Sequence, residues 1–99
     1  MLNITKTKEA AKLTVALAGR LDIATSPELE KSLQESLSDV VELVMDLSGL
    51  EYISSAGLRV LLSTQKQMMK QGSMKVTHVC DTVMGVFEIT GFVDILTIE

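Results

Sequence analysis

The chain has 99 residues, of which 46% are hydrophobic, 22% charged and 3% aromatic, with a formal net charge of −4 at pH 7. A single domain over residues 1–99 can bury roughly 60–70% of the surface its unfolded form exposes, so the composition excludes disorder and predicts one core. Negative charge with few aromatics argues against a nucleic-acid partner, and apolar runs of only a few residues argue against membrane insertion.

Leu2 to Thr7 alternates apolar and polar residues, as a strand with one exposed face does. Lys8 to Ala11 is a turn, and Leu13 to Leu17 alternates again until Gly19 closes the run. The short connection predicts a hairpin, with lysines on its exposed edge. Gly19 to Thr25 is a loop. Ser26-Pro27-Glu28 then opens a helix with a hydroxyl cap, a proline at the first helical position and an acid in the first turn. Its apolar stripe is Leu29, Leu33, Leu37 and Val40. Val41 to Leu47, interrupted by Glu42, reads as a largely buried strand that Asp46 and Ser48-Gly49 terminate.

Ser54-Ser55 start a second helix that runs to Gln71 and stops at Gly72. Its stripe is Leu58, Leu61, Leu62 and Met69, with Gln65 as a polar gap. Met74 to Val79 is a further strand. Asp81 caps a third helix in which Val83, Met84, Phe87 and Ile89 face inward and which Gly91 ends. Phe92 to Ile98 is a short final strand or a docked tail.

The order β-β-α-β-α-β-α plus a short terminal element predicts an α/β fold. Its mixed, largely parallel sheet has four to five strands, with right-handed crossovers and helices packed on it. Leu29, Leu33, Val44, Leu47, Leu58, Leu62 and Phe87 are the expected core. If the strands Leu13–Leu17 and Val41–Leu47 are parallel, the loops leaving them emerge at one sheet edge, so Asp22 and Ser55 share a rim.

The serines at that helix start admit two readings. One is an N-cap. The other is an acceptor of negative charge, because the first amides of a helix lack intrahelical partners and the dipole makes that end positive. Gly57 costs about 1 kcal/mol relative to alanine in a first turn, which a close packing contact or a close-approaching partner would justify. His78 and Cys80 superficially resemble a Cys/His pair, against the ordinary reading of a strand-end histidine and a buried thiol. Too few His and Cys residues are present for a metal site, and no G-x-G-x-x-G or Walker sequence occurs, so neither metal nor cofactor nor enzymatic activity is expected. The N-terminus lacks the basic-plus-apolar pattern of an export signal. Cys80 is the only cysteine, so no intrachain disulfide forms, and a cytoplasmic location is expected.

The stretch V-M-D-L-S-G-L-E-Y-I-S-S-A-G-L-R-V-L-L, Val44 to Leu62, resembles the signature of STAS domains, in particular bacterial anti-sigma factor antagonists. The likeness extends to G-R-L-D (Gly19–Asp22), the S-P-E-L helix start and I-T-G-F-V-D (Ile89–Asp94). It implies a mixed sheet backed by helices, no catalytic centre, and a phosphorylation-regulated switch. Such a switch sequesters an anti-sigma factor that is also a serine-protein kinase, releases a sigma factor and is reset by a serine phosphatase. Anchored on Gly57-Leu58, Ser55 falls on the phosphorylated position and Ser54 is a secondary candidate. Ser54 replaces the usual acid and Ala56 the second hydroxyl. The implied partner-binding residues are Asp22, Ser54, Ser55, Ala56, Gly57 and Arg59. The other STAS reading is an interaction subunit of a transport or stress-signalling assembly, without phosphorylation.

Overall fold

The structure, a computed structural model, describes residues 1–99. Four strands form one sheet in the order β1-β2-β3-β4: β1 is Leu2–Glu9, β2 Lys12–Leu21, β3 Glu42–Ile53 and β4 Ser73–Thr77. β1 and β2 are an antiparallel hairpin, while β2–β3 and β3–β4 are parallel. The helices are α1 (Ser26–Ser36), α2 (Ser55–Gln71) and α3 (Asp81–Thr90), followed by a 3-10 turn at Phe92–Asp94. The sheet is therefore mixed and four-stranded. The chain's tail adds one parallel bridge from Ile98 to Val76 beside β4, and Leu96 anchors it in the core.

Side-chain alternation makes the two faces of the sheet unequal. Leu13, Val15 and Leu17 of β2, Leu43, Met45 and Leu47 of β3, and Met74 and Val76 of β4 are fully or almost fully buried. The residues between them, Thr14, Ala16, Val44, Asp46 and Lys75, are only half-buried. Val44, expected in the core, thus faces the open side, because its neighbours Leu43 and Met45 take the inward positions. The two crossovers, β2-α1-β3 and β3-α2-β4, advance in the same direction across the sheet, and α1 and α2 pack against each other, as crossovers of one hand require.

Several element ends differ from the sequence expectation: β1 runs on to Glu9, and β4 spans Ser73–Thr77 and stops short of Val79, because His78 turns to a φ of 56°. β2 passes through Gly19, whose φ of 104° lies at a bulge, and continues to Leu21. β3 does not stop at Leu47. Asp46 Oδ1 accepts the Ser48 N–H at 3.0 Å, a local bond that accommodates a bulge, and pairing with β2 resumes at Ala18–Gly49. A side chain at position 49 would bring its Cβ within 2.7 Å of Ala18 Cβ, so glycine lets the two strands close up again. α1 is preceded by Thr25 and not capped by Ser26, whose hydroxyl donates to Asp22 O at 2.6 Å.

The apolar positions expected of α1 are all buried, but the helix ends at Ser36: Leu29 and Leu33 lie on it, Leu37 is its C-cap residue and Val40 lies in the connection to β3. α2 spans Ser55–Gln71, but its inward face is rotated from the expected one. Leu58, Leu61, Gln65 and Met68 point inward, Leu62 is half-buried and Met69 is 72% exposed. Gln65 lies within the stripe and is not a gap in it, and its buried Oε1 has no hydrogen-bond partner. α3 starts after Cys80, with Asp81 as its first residue. Val83 and Phe87, four residues apart, seal it to the core, whereas Ile89 lies on the far side, 88% exposed.

Candidate functional site

Parallel pairing carries β2 and β3 to one end of the sheet, where the register closes with Arg20–Tyr52 and Leu21–Ile53. Just beyond, the Ser54 N–H donates to Leu21 O at 2.9 Å. The turn after β2 and the start of α2 are thereby locked side by side, and Asp22 and Ser55 lie on one rim.

The two serines hold different positions there. Ser54 is extended (φ −100°, ψ 175°) and half-buried, and its Oγ accepts the Gly57 N–H in a long, 3.5 Å capping bond. Ser55 is the first residue of the 17-residue helix and is exposed. Arg59, one turn further along, is also exposed, and Ala56 is half-buried. Gly57 is different. It is buried, and a Cβ on it would lie 2.7 Å from Leu21 Cγ and 2.9 Å from Ile53 Cγ1. The close seating of α2 on the two strand ends explains the glycine, which is the packing reading of Gly57.

Asp22 organises the turn. Its Oδ1 accepts N–H bonds from Ala24 at 3.0 Å and Thr25 at 3.1 Å, while the Thr25 hydroxyl accepts the Asp22 N–H at 2.9 Å and donates to Arg20 O at 2.9 Å. The Thr25 N–H bond is the largest influence holding the Asp22 carboxyl below the usual range. Burial opposes it, and the Thr25 hydroxyl and Ala24 N–H add to the lowering.

Three rim residues escaped the sequence reading. Arg20 stacks its guanidinium 4.2 Å from the centre of the Tyr52 ring, and its Nε lies 4.0 Å from Asp22 Oδ2. The signal was present in G-R-L-D and E-Y-I-S, but pairing the two needed the register across β2 and β3. Ile23, 81% exposed, is the third. It borders a shallow groove of about 210 Å³ between the starts of α1 and α2, walled by Pro27, Glu30, Ala56 and Arg59. A larger polar cleft of about 550 Å³ lies between Lys6, Lys8, Glu35 and Asp39. It is bridged by the Lys8–Asp39 ion pair at 2.6 Å and lies towards the hairpin end of the sheet, away from the rim.

His78 and Cys80 do not form a pair. His78, at φ 56°, sets Nδ1 3.3 Å from Asp46 Oδ1, while the Cys80 thiol donates to Leu50 O at 3.3 Å. Burial pushes the Asp46 carboxyl up, but the Ser48 bonds and His78 outweigh it, and the net shift is downward. No three His, Cys, Asp or Glu residues are grouped as metal ligands, and no helix is long and apolar enough to cross a membrane.

A mixed sheet with two helices on one face and a hydroxyl-bearing helix start on its rim defines an α/β domain that presents a surface. The family model described as "Mlab, STAS domain" matches residues 4–97, and the chain belongs to the STAS domain family. It is 30% identical over 99 residues to the anti-sigma-B factor antagonist of Bacillus subtilis (strain 168), covering 99% of this chain and 91% of that one. Among solved structures it is similar to an anti-sigma factor antagonist from Mycobacterium paratuberculosis, with a TM-score of 0.90 and 23% identity over 99% of this chain and 85% of that one. It is also similar to the Bacillus cell fate determinant SpoIIAA. The unphosphorylated form gives a TM-score of 0.85 and 15% identity over 98% of this chain and 88% of that one. The phosphorylated form gives 0.76 and 14% over 98% and 91%. These structural likenesses concern the fold, which is the STAS fold that the resemblance of Val44 to Leu62 implied and with which the element order agrees.

Proposed function

We propose that this STAS domain, a single domain over residues 1–99, is an anti-sigma factor antagonist acting in the cytoplasm. Unmodified, it binds an anti-sigma factor that is also a serine kinase, and a sigma factor is released. Phosphorylated on Ser55, it dissociates, and a serine phosphatase resets it. ATP belongs to the kinase. The observation that carries this reading is the division of labour between the two serines. Ser54 is turned into the helix cap, which leaves Ser55 exposed at the positive end of a long helix, beside the Asp22 turn. The antagonist relative from Bacillus subtilis, matched over nearly the whole of both chains, supports the same role.

Co-purification from the native cell followed by mass spectrometry tests it. The expected result is an anti-sigma factor with kinase activity and a phosphate on Ser55. A phosphate on Ser54 would shift the acceptor by one residue. Recovery of a membrane transporter without modification would assign the chain to another STAS assembly. If neither serine is modified in the presence of the partner and ATP, the switch is absent and only the binding module remains.

A further inference from the structure

We propose that the stacked pair Arg20–Tyr52 is a preformed hot spot on the rim that receives a carboxylate of the anti-sigma factor and sets which partner is accepted. This rests on the antagonist reading above and names the chemistry of that surface. The chain has nine basic residues, of which only Arg20 and Arg59 are arginines: Arg20 near the end of β2, and Arg59 one turn into α2. The lysines fall elsewhere, at positions 6, 8, 12, 31, 66, 70 and 75.

The geometry leaves Arg20 fit for an outside acceptor. Its guanidinium carbon sits over the Tyr52 ring, 4.2 Å from the centroid, a cation–π contact that gives the side chain a seat before any partner arrives. The carboxylate in reach, Asp22 Oδ2, stands 4.0 Å from Nε, beyond hydrogen-bond distance, and Asp22 Oδ1 is already committed to Ala24 and Thr25. The Arg20 side chain remains 54% exposed. A stacked guanidinium with free N–H donors along its edge matches a planar carboxylate in the two-point manner that lysine cannot reproduce. Tyrosine and arginine are also the residue types over-represented where interfaces concentrate their affinity. The pair sits directly before Leu21 and Ile53, the strand ends on which α2 is seated, and so at the same end of the sheet as Ser55.

The test uses the full chain and the anti-sigma factor recovered in the co-purification above, titrated against wild type, Arg20→Ala, Arg20→Lys, Tyr52→Ala, Tyr52→Phe and Ser55→Asp. Arg20→Ala and Tyr52→Ala should each weaken binding about 10- to 30-fold. Arg20→Lys should lose most of the same affinity, and Tyr52→Phe, which keeps the ring, should stay near wild type. An alanine scan of the partner's Asp and Glu residues should find one whose effect vanishes in the Arg20→Ala background, the signature of a direct pair. If Ser55→Asp releases the partner while Arg20→Ala binds as wild type, the antagonist reading stands and the hot spot is overturned. The hot spot is equally overturned if Arg20→Lys binds as wild type, or if no partner acid couples to Arg20. If no anti-sigma factor is recovered, the antagonist reading fails and the hot spot with it.

Discussion

Ser54 and Leu21 are joined by a single backbone hydrogen bond of 2.9 Å, donated by the Ser54 N–H across the end of the sheet. The bond belongs to no helix and lies just past the last strand pairing, yet it makes the turn after β2 and the start of α2 one surface. A phosphate on Ser55, the acceptor proposed above, would therefore change the charge of a rim whose neighbours are already fixed by this bond.

The first prediction concerns this charge. Phosphate on Ser55 brings about −1.5 to −2 charges to an exposed helix start, where free amides and the dipole favour anions. Ser55→Asp and Ser55→Ala should both melt near wild type, with aspartate stabilised by at most about 1 kcal/mol. With the anti-sigma factor they should separate: alanine binds and resists phosphorylation, and aspartate binds weakly. Equal affinities of the two variants would remove Ser55 from the switch.

Gly57 should tolerate no side chain. Alanine would gain about 1 kcal/mol of helix propensity, but its Cβ would sit 2.7 Å from Leu21 Cγ and 2.9 Å from Ile53 Cγ1. Overpacking of this kind costs about 1–3 kcal/mol. Gly57→Ala should lower stability in a denaturant titration, and combining it with Leu21→Ala should cost less than the sum of the two. Strict additivity would show that the two residues do not compete for space.

Gln65 is a stability reserve. Its Oε1 is buried without a partner, a condition that costs about 1–3 kcal/mol. Gln65→Met keeps the length of the side chain and removes the stranded acceptor, so it should raise the melting temperature. A fall instead would mean that the amide is held by a contact the methionine breaks.

Leucine truncations should rank by depth. Leu33, 2% exposed, should lose about 2–5 kcal/mol on conversion to alanine. Leu62, half-buried on the flank of α2, should lose less than Leu33, and Met69→Ala, at a residue 72% exposed, should be close to neutral. A reversed order of Leu33 and Leu62 in chemical denaturation would contradict the helix faces.

Acid should weaken the fold in a defined window. Asp22, Asp39 and Asp46 all ionise below the ordinary carboxylate value. Asp22 does so chiefly through the Thr25 N–H, Asp39 through the Lys8 ammonium, and Asp46 through the Ser48 bonds and His78 against the opposing effect of burial. A carboxylate that gives up its proton more readily folded than unfolded stabilises the chain above the unfolded value of about 4. That contribution is lost as pH falls through the lowered folded value. The melting temperature should be level from pH 7 to about 5 and decline below about 4. Asp22→Asn and Asp46→Asn should each make that decline shallower, and an unchanged acid limb in both would show that these groups carry no linkage.

Legibility from sequence followed how local the cause was. The ends of α2 could be placed at Ser55 and Gln71 because a hydroxyl before the helix and Gly72 after it act within a turn. The common rim of Asp22 and Ser55 followed from parallel strands alone. Three features lay beyond reach, each for a tertiary reason. The extension of β3 past Asp46 depends on a bulge that Ala18 closes from the neighbouring strand. The inward turn of Gln65 depends on where α2 meets the sheet, which a polar residue in an apolar stripe disguises. The Arg20–Tyr52 stack joins residues more than thirty positions apart, whose register two bulges displace.

The unequal lengths of β3 and β4 have a mechanical result. Pairing between them ends at Asp46–Thr77, while β3 continues alongside β2 as far as Leu21–Ile53. Past Asp46, β3 has no partner on the β4 side but keeps β2, which β1 borders as far as Leu2–Gly19, and the Cys80 thiol on Leu50 steadies the unpaired flank. Opening is cheapest where fewest strands must part, so along β3 the Ser48–Tyr52 stretch, paired on one side, exchanges its amides ahead of Leu43 to Met45, which are paired on both.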